Sequence, residues 1–413
     1  MTALTRRHVL LASAALAAPA ILPRAVRASD AQIEVSSPWG ADSPFQKVVD
    51  AYNAKATGVS VENRFDGDYQ AMATKALAGI AAGRAPTLMI TGWKFGYFAK
   101  RTLGARDLRE IDAARADRII SNFVPSVHPL VTIDGSLIGL PWAMSTPISF
   151  VNMELWKAAG LDETLPQEFD ADWLYAQAAQ LDAALKGKHD GYRSALDLSN
   201  NEWTSQSFIQ NAGGYIIDPA GELALTSPEA IRGMELFVEP AKKGLWIPVS
   251  GKEQEAAFQS GALAITTTSS TRAVRYPGSV ELATAKFPGV PGHARRMNSG
   301  GNFLAVYARD EEKAQAAMDF LEFCASAEGQ GIWAGVGYLN TSVHDVPLIN
   351  DYMAPAAAQL DDGLTAETIW PGARGLEGQD IWRKWVSRML TGDVEVAQGM
   401  EQAAAELAPV LNA

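Results

Sequence analysis

Apolar residues recur along this chain in two rhythms, alternate positions and helical spacing, and the switches between them mark its elements. Ile33 to Ser36 reads as a short strand. Ser43-Pro44 follows as a cap and first-turn proline, with Phe45, Val48, Val49 and Tyr52 on one helical face behind it. Val59 to Phe65 alternates as a second strand, and Asp66-Gly67-Asp68 turns into a helix carrying Tyr69, Met72, Leu77 and Ile80. Pro86 to Ile90 is a wholly apolar third strand. Strand–helix–strand–helix–strand is the order that a parallel sheet with crossover helices requires.

The pattern changes between Leu140 and Trp156. Pro141 and Pro147 lack a backbone donor and hold the residues before them extended, so the stretch cannot begin as a helix. Ile148 to Asn152 reads as a buried strand, and Glu154 to Gly160 as a short helix. Ser145 and Thr146 bring hydroxyls into an apolar run, either as a strand edge with satisfied hydroxyls or as part of a site. A second α/β pattern follows. It has helices near 170–186 and 203–212, a turn-rich hairpin at 213–221, helices from Ser227-Pro228 and Lys252, and a strand from Ala262 to Thr266. The prolines and glycines between Phe287 and Gly301 predict a second crossing, before a strand at Phe303 to Tyr307 and a helix over Glu311 to Ala327. The C-terminal region is helical from about Gln379.

These rhythms predict an α/β chain of two lobes, each a mainly parallel sheet flanked by helices, with a hinged cleft between them. The expected division is 29–140 plus 289–325 for one lobe and 141–288 plus 326–413 for the other. Ligands of open parallel sheets bind beyond the carboxyl ends of the strands, which places the site between the lobes.

Residues 1–28 stand outside this pattern. Arg6-Arg7 leads into an alanine-rich apolar run, and Val26-Arg27-Ala28 has the small-x-small form of a cleavage site, so a twin-arginine leader and periplasmic export are expected. Its four arginines and lack of acids mean that removing it takes the net charge from −12 to −16. That balance disfavours nucleic acid and anionic membrane surfaces as partners. Cys324 stands alone, so no intramolecular disulfide forms. The five histidines show no metal-ligand spacing, and no phosphate loop, dinucleotide fingerprint or nucleophile elbow is present, so no metal or cofactor is expected. A carboxylate pair distant in sequence would instead make an exported glycan hydrolase, the alternative from another class. Trp39, Trp93, Trp142, Trp203 and Trp246 all flank turns. Their ring faces either plug the cores or, as a group at the cleft, stack on a polyhydroxylated ligand.

Two stretches carry a resemblance. Ala314 to Ser342 and the Phe-Gln-Ser-Gly-Ala-Leu-Ala-Ile run at 258–265 resemble extracellular solute-binding proteins that serve ABC importers of sugars and related solutes. Within them the chain is most similar to the glycerol-3-phosphate-binding type. The resemblance implies a non-enzymatic monomer that captures a sugar, polyol, glycerol-3-phosphate or glycerophosphodiester by lobe closure and hands it to an inner-membrane ABC permease. It implies ligand contacts from Tyr69, Ser145, Trp203, Ser269, Ser270, Gly301, Tyr338 and Arg374. Trp93 stands where that type places an acid, exchanging hydrogen-bond acceptors for a stacking face and one donor. Arg374, flanked by glycines, either meets an anionic ligand group or pairs with Glu377 or Asp380.

Overall fold

A computed structural model describes residues 31–411 apart from 56–57, 163, 200–201, 363 and 367; the leader expected over 1–28 lies outside them. In the first sheet, β1 (Ala31–Ser37) pairs in parallel with β2 (Val59–Phe65) and β3 (Leu88–Gly92), and α1 (Pro44–Asn53) and α2 (Tyr69–Ala81) make the crossovers. Ser43 caps α1 by accepting from the Gln46 N–H, and α1 buries Phe45, Val48, Val49 and Tyr52, the predicted face. The face of α2 differs from the prediction. Met72, Ala73 and Ala76 are buried, while Leu77 is 40% exposed. Two alanines turned inward let this helix lie close on the sheet, and the leucine turns outward in consequence.

Only Thr146 separates β4 (Leu140–Ser145) from β5 (Pro147–Asn152), yet the two strands belong to different sheets. The second sheet sets β5 beside β7 (Leu263–Ser269) and β8 (Leu282–Lys286), with β6 (Ser194–Asp197) on the far side of β7. The chain returns through β9 (Met297–Val306), a strand that starts well before the predicted Phe303 and pairs with β3, β4 and β10 (Leu364–Ala366).

The two-lobed α/β architecture is as expected, and the first sheet is mainly parallel as predicted, whereas the second is mainly antiparallel. β9 runs against β3 and β4, and β5 runs against β7 and β8. β5 and β9 each enter a sheet straight from a crossing between lobes, so no crossover helix sets their direction.

Two buried apolar clusters fill the interior, and the first reaches into the second sheet through Ile148, Phe150 and Leu263. It surrounds Val35, Ile90 and Phe303 and includes Trp142, Trp333 and Leu339. The other surrounds Trp156, Leu174, Phe237 and Trp382. The helix predicted over Glu311–Ala327 ends at Ala325, because Ser326 turns extended and caps a further helix over Ala327–Trp333. The C-terminal region forms two helices, Gly375–Leu390 and Val396–Leu411, packed on the second cluster.

Gln359 ties the two crossings together. Its amide nitrogen donates to Thr146 Oγ1 (2.9 Å) and the Pro147 carbonyl (3.0 Å), and its oxygen accepts from the Phe287 N–H (2.5 Å). The residue is fully buried, so all of these bonds are shielded from water.

Candidate functional site

The strand ends of the two sheets face a cavity of about 200 Å³ lined by Tyr69, Lys94, Ser145, Glu202, Trp203, Ser269, Gly300, Gly301 and Tyr338. Ser145 ends β4 and Ser269 ends β7, so each sheet presents a hydroxyl at its carboxyl edge. Tyr69 opens α2, and its hydroxyl accepts from Asn302 Nδ2 (2.8 Å) and hydrogen-bonds Tyr338.

Glycine at 300 and 301 is a steric requirement. A Cβ at Gly301 would lie 2.0 Å from the Ala143 carbonyl oxygen, and one at Gly300 would lie 2.9 Å from the Trp203 ring. The indole of Trp203 therefore lies over bare backbone of β9. Its carbonyl accepts from Asn298 Nδ2 (3.1 Å), which fixes the start of the helix Glu202–Asn211 against that strand.

Behind Tyr338 stands a column of rings. Trp333 stacks on Tyr338 (5.6 Å, 13°) and on Trp142 (4.5 Å, 27°), and its Nε1 donates to the Trp142 carbonyl (2.9 Å). Burial pushes the Tyr338 hydroxyl pKa up, against the Tyr69 hydrogen bond and the charges of Arg272 and Arg275.

Six of the nine residues singled out in the sequence meet at this cavity: Tyr69, Ser145, Trp203, Ser269, Gly301 and Tyr338. Trp93 and Ser270 lie buried beside it. The Trp93 ring is 3.1 Å from where a Gly301 Cβ would be, and Ser270 follows Ser269 directly. Trp93 Nε1 and Ser270 Oγ are buried without a hydrogen-bond partner among the described residues. Arg374 stands elsewhere, with its guanidinium on Glu377 at 2.6 and 2.8 Å and its side chain 46% exposed. The grouping of five tryptophans at the cleft does not occur. Trp93, Trp142 and Trp246 are core residues, Trp39 packs on Trp333, and Trp203 alone of the five lines the cavity.

Lys94, Glu202 and Gly300 were missed. Lys94 Nζ lies 2.8 Å from Glu202 Oε1, joining the loop after β3 to the helix of the other body across 108 positions. Gln379 also donates to this carboxylate, and Arg383 Nε lies 3.4 Å from it. Burial alone would raise the Glu202 pKa, but the Lys94 and Arg383 charges override it and hold the group down at about 2. Asp197, at the end of β6, is buried too, and burial pushes it up to about 7 against the Ser199 N–H at 2.7 Å and the Arg193 charge. The signal for Lys94 and Glu202 was adjacency, since each charge sits beside a singled-out tryptophan. Among the described residues no group of histidine, cysteine and acidic side chains is placed to hold a metal, and no helix is long and apolar enough to cross a membrane.

Two α/β bodies joined by short crossings, with a polar and aromatic cavity at their seam, define a hinged binding protein. The chain belongs to the family described as bacterial extracellular solute-binding protein, whose profile matches residues 37–331. It is 24% identical over 313 residues to the sn-glycerol-3-phosphate-binding periplasmic protein UgpB of Yersinia pseudotuberculosis, covering 71% of this chain and 69% of that one. The fold is similar to that of UgpB from Mycobacterium tuberculosis in complex with glycerophosphocholine, with a TM-score of 0.80, 20% identity, and 92% and 98% of the two chains covered. It is also similar to an ABC substrate-binding protein from Listeria monocytogenes in complex with cycloalternan, with a TM-score of 0.81, 15% identity, and 93% and 99% covered.

Proposed function

We propose that the chain is the periplasmic solute-binding subunit of an ABC importer, exported as a monomer by its twin-arginine leader. It captures a carbohydrate-like solute, either a sugar, a polyol, glycerol-3-phosphate or a glycerophosphodiester, and delivers it to an inner-membrane permease. The observation that carries this reading is the composition of the seam cavity, which combines ring faces, hydroxyls and exposed backbone from both bodies. Trp203 and Tyr338 offer faces to the C–H side of a polyol, Ser145 and Ser269 offer hydroxyls, and Gly300-Gly301 permits close approach of backbone.

A ligand that touches both bodies binds the closed form better than the open one, and that difference sets how far closure is favoured. Turnover has no part in this scheme. Glu202 is the carboxyl of the cavity lining, and a group held at about 2 is ionised and donates no proton near neutral pH, which disfavours the glycan-hydrolase alternative.

A thermal-shift and small-angle scattering screen over sugars, polyols and glycerophosphoesters tests the reading. A binder is expected to raise Tm and reduce the radius of gyration, and Trp203→Ala is expected to weaken it at least about tenfold through lost stacking and burial. Stabilisation without compaction would contradict lobe closure.

A further inference from the structure

Two cavities meet at the seam and share part of their walls. The inner one, of about 200 Å³, and an outer one of about 580 Å³ beside α2 are both lined by Tyr69 and Lys94. Glu202 lines the inner cavity and Arg383 the outer, and their charged groups lie 3.4 Å apart. Side chains that line both hollows, or that touch one another from opposite sides, are the wall between them. We propose that the Lys94–Glu202 pair is a partition that sets the length of solute the site accepts. The protein takes a compact solute, a single sugar or polyol unit, and refuses its longer homologues. The proposal rests on the solute-binding reading set out above and narrows it.

The partition is held from both sides. Lys94 Nζ lies 2.8 Å from Glu202 Oε1, and Arg383 Nε faces the other carboxylate oxygen, Oε2. The Trp370 indole donates to Gln379 Oε1 at 2.8 Å, which turns the Gln379 amide nitrogen towards Glu202, and it donates there. Trp382 Nε1 donates to the Glu202 carbonyl at 3.3 Å. Behind the ammonium, the Lys94 carbonyl accepts from the Trp370 N–H at 3.1 Å, so the backbone is fixed as well. The Lys94 and Glu202 side chains are only 15% and 7% exposed, which leaves their attraction little screened by water. A direct contact of that length leaves no room for a solute chain to pass between them.

The sizes agree with this division. Pockets that enclose a drug-sized ligand hold about 300–1,000 Å³. The inner cavity falls below that range and the outer one within it. A solute seated against Trp203 and Tyr338 therefore ends at the partition. A longer one reaches the outer cavity only by parting the pair, which strands two poorly hydrated charges, so the wall discriminates by cost as well as by shape.

The test uses the full mature chain and two length series, glucose with maltose and maltotriose, and glycerol with diglycerol, followed by titration calorimetry. In the series that binds, the wild type is expected to prefer the one-unit probe over the next member by at least about tenfold. The double variant Lys94→Ala/Glu202→Ala removes both charges together, so neither is stranded, and is expected to abolish that preference. Glu202→Gln, which keeps the shape and weakens the pair, is a milder second variant expected to lower the preference partway. Lys94→Arg, which keeps a cation on Glu202, is expected to retain it. A wild type that binds maltose or diglycerol as tightly as the one-unit probe overturns the proposal, as does an unchanged preference in the double variant. A second readout needs no solute. Cys324 is buried, so a cysteine introduced by Ser145→Cys inside the inner cavity can be labelled selectively with small and bulky methanethiosulfonates. The rate for the bulky reagent relative to the small one is expected to rise severalfold when the pair is removed, and equal relative rates overturn the partition. Failure of every sugar and polyol to bind, with that labelling difference present, would count against the solute-binding reading and leave the partition standing.

Discussion

Glu202 and Asp197 are buried carboxyls five positions apart in the second half of the chain, and they titrate in opposite directions. Burial raises both. Asp197 keeps that rise, at about 7, because the Ser199 N–H, the Trp246 indole and the Arg193 charge only partly offset it. Glu202 reverses it, at about 2, because Lys94 arrives from the other body. The difference shows that one carboxylate of the second body is completed by the first. The seam is thus held by a charge pair as well as by shape, and that pair lines the inner cavity.

Removing the cation should break the contrast most. Lys94→Met leaves an ionised carboxyl buried without its nearest cation, a change expected to cost about 3–5 kcal/mol near neutral pH by urea denaturation. The sign with pH follows from the lowered value. Glu202 contributes stability above its ordinary value of 4.5 and loses it as pH falls towards about 2, so wild type and variant should converge through that window. A constant difference across it would mean that Lys94 acts by packing.

Asp197→Asn sharpens the contrast from the other side. A carboxyl raised from 3.8 to about 7 stabilises the fold fully only below 3.8, and this contribution is lost as pH rises through about 7. The amide keeps an acceptor for the Ser199 N–H, so the variant should match wild type at acid pH and exceed it by roughly 2–4 kcal/mol above pH 7. Parallel denaturation curves at both ends of the range would count against a buried neutral acid.

The smallest effect belongs to Arg374→Ala. An exposed ion pair with a neighbour three residues away is worth about 0–1 kcal/mol, so stability and solute affinity should both change little. A loss of affinity beyond about tenfold would bring Arg374 back into the site, through a rearrangement that frees it from Glu377.

What could be read in advance followed local rules. The capped helix behind Ser43, the strands and the two crossings are written in proline, glycine and periodicity, and the hydroxyls at 145 and 269 mark strand ends. Rotation of a helix on its sheet is not local, which is why Leu77 turned outward. The tryptophans misled for a related reason. A ring beside a turn has the same sequence signature whether it faces solvent, ligand or core, and Trp142 and Trp246 face core. The Lys94–Glu202 pair forms between segments 108 positions apart, and no spacing rule joins them. Arg374 was singled out with two readings open, and its neighbour Glu377 is the partner the structure gives it.

Gln359 has a mechanical consequence. One side-chain amide grips the backbone of both connecting straps, so neither can slide past the other. A swing of one half of the molecule against the other that parts the straps must first break these bonds.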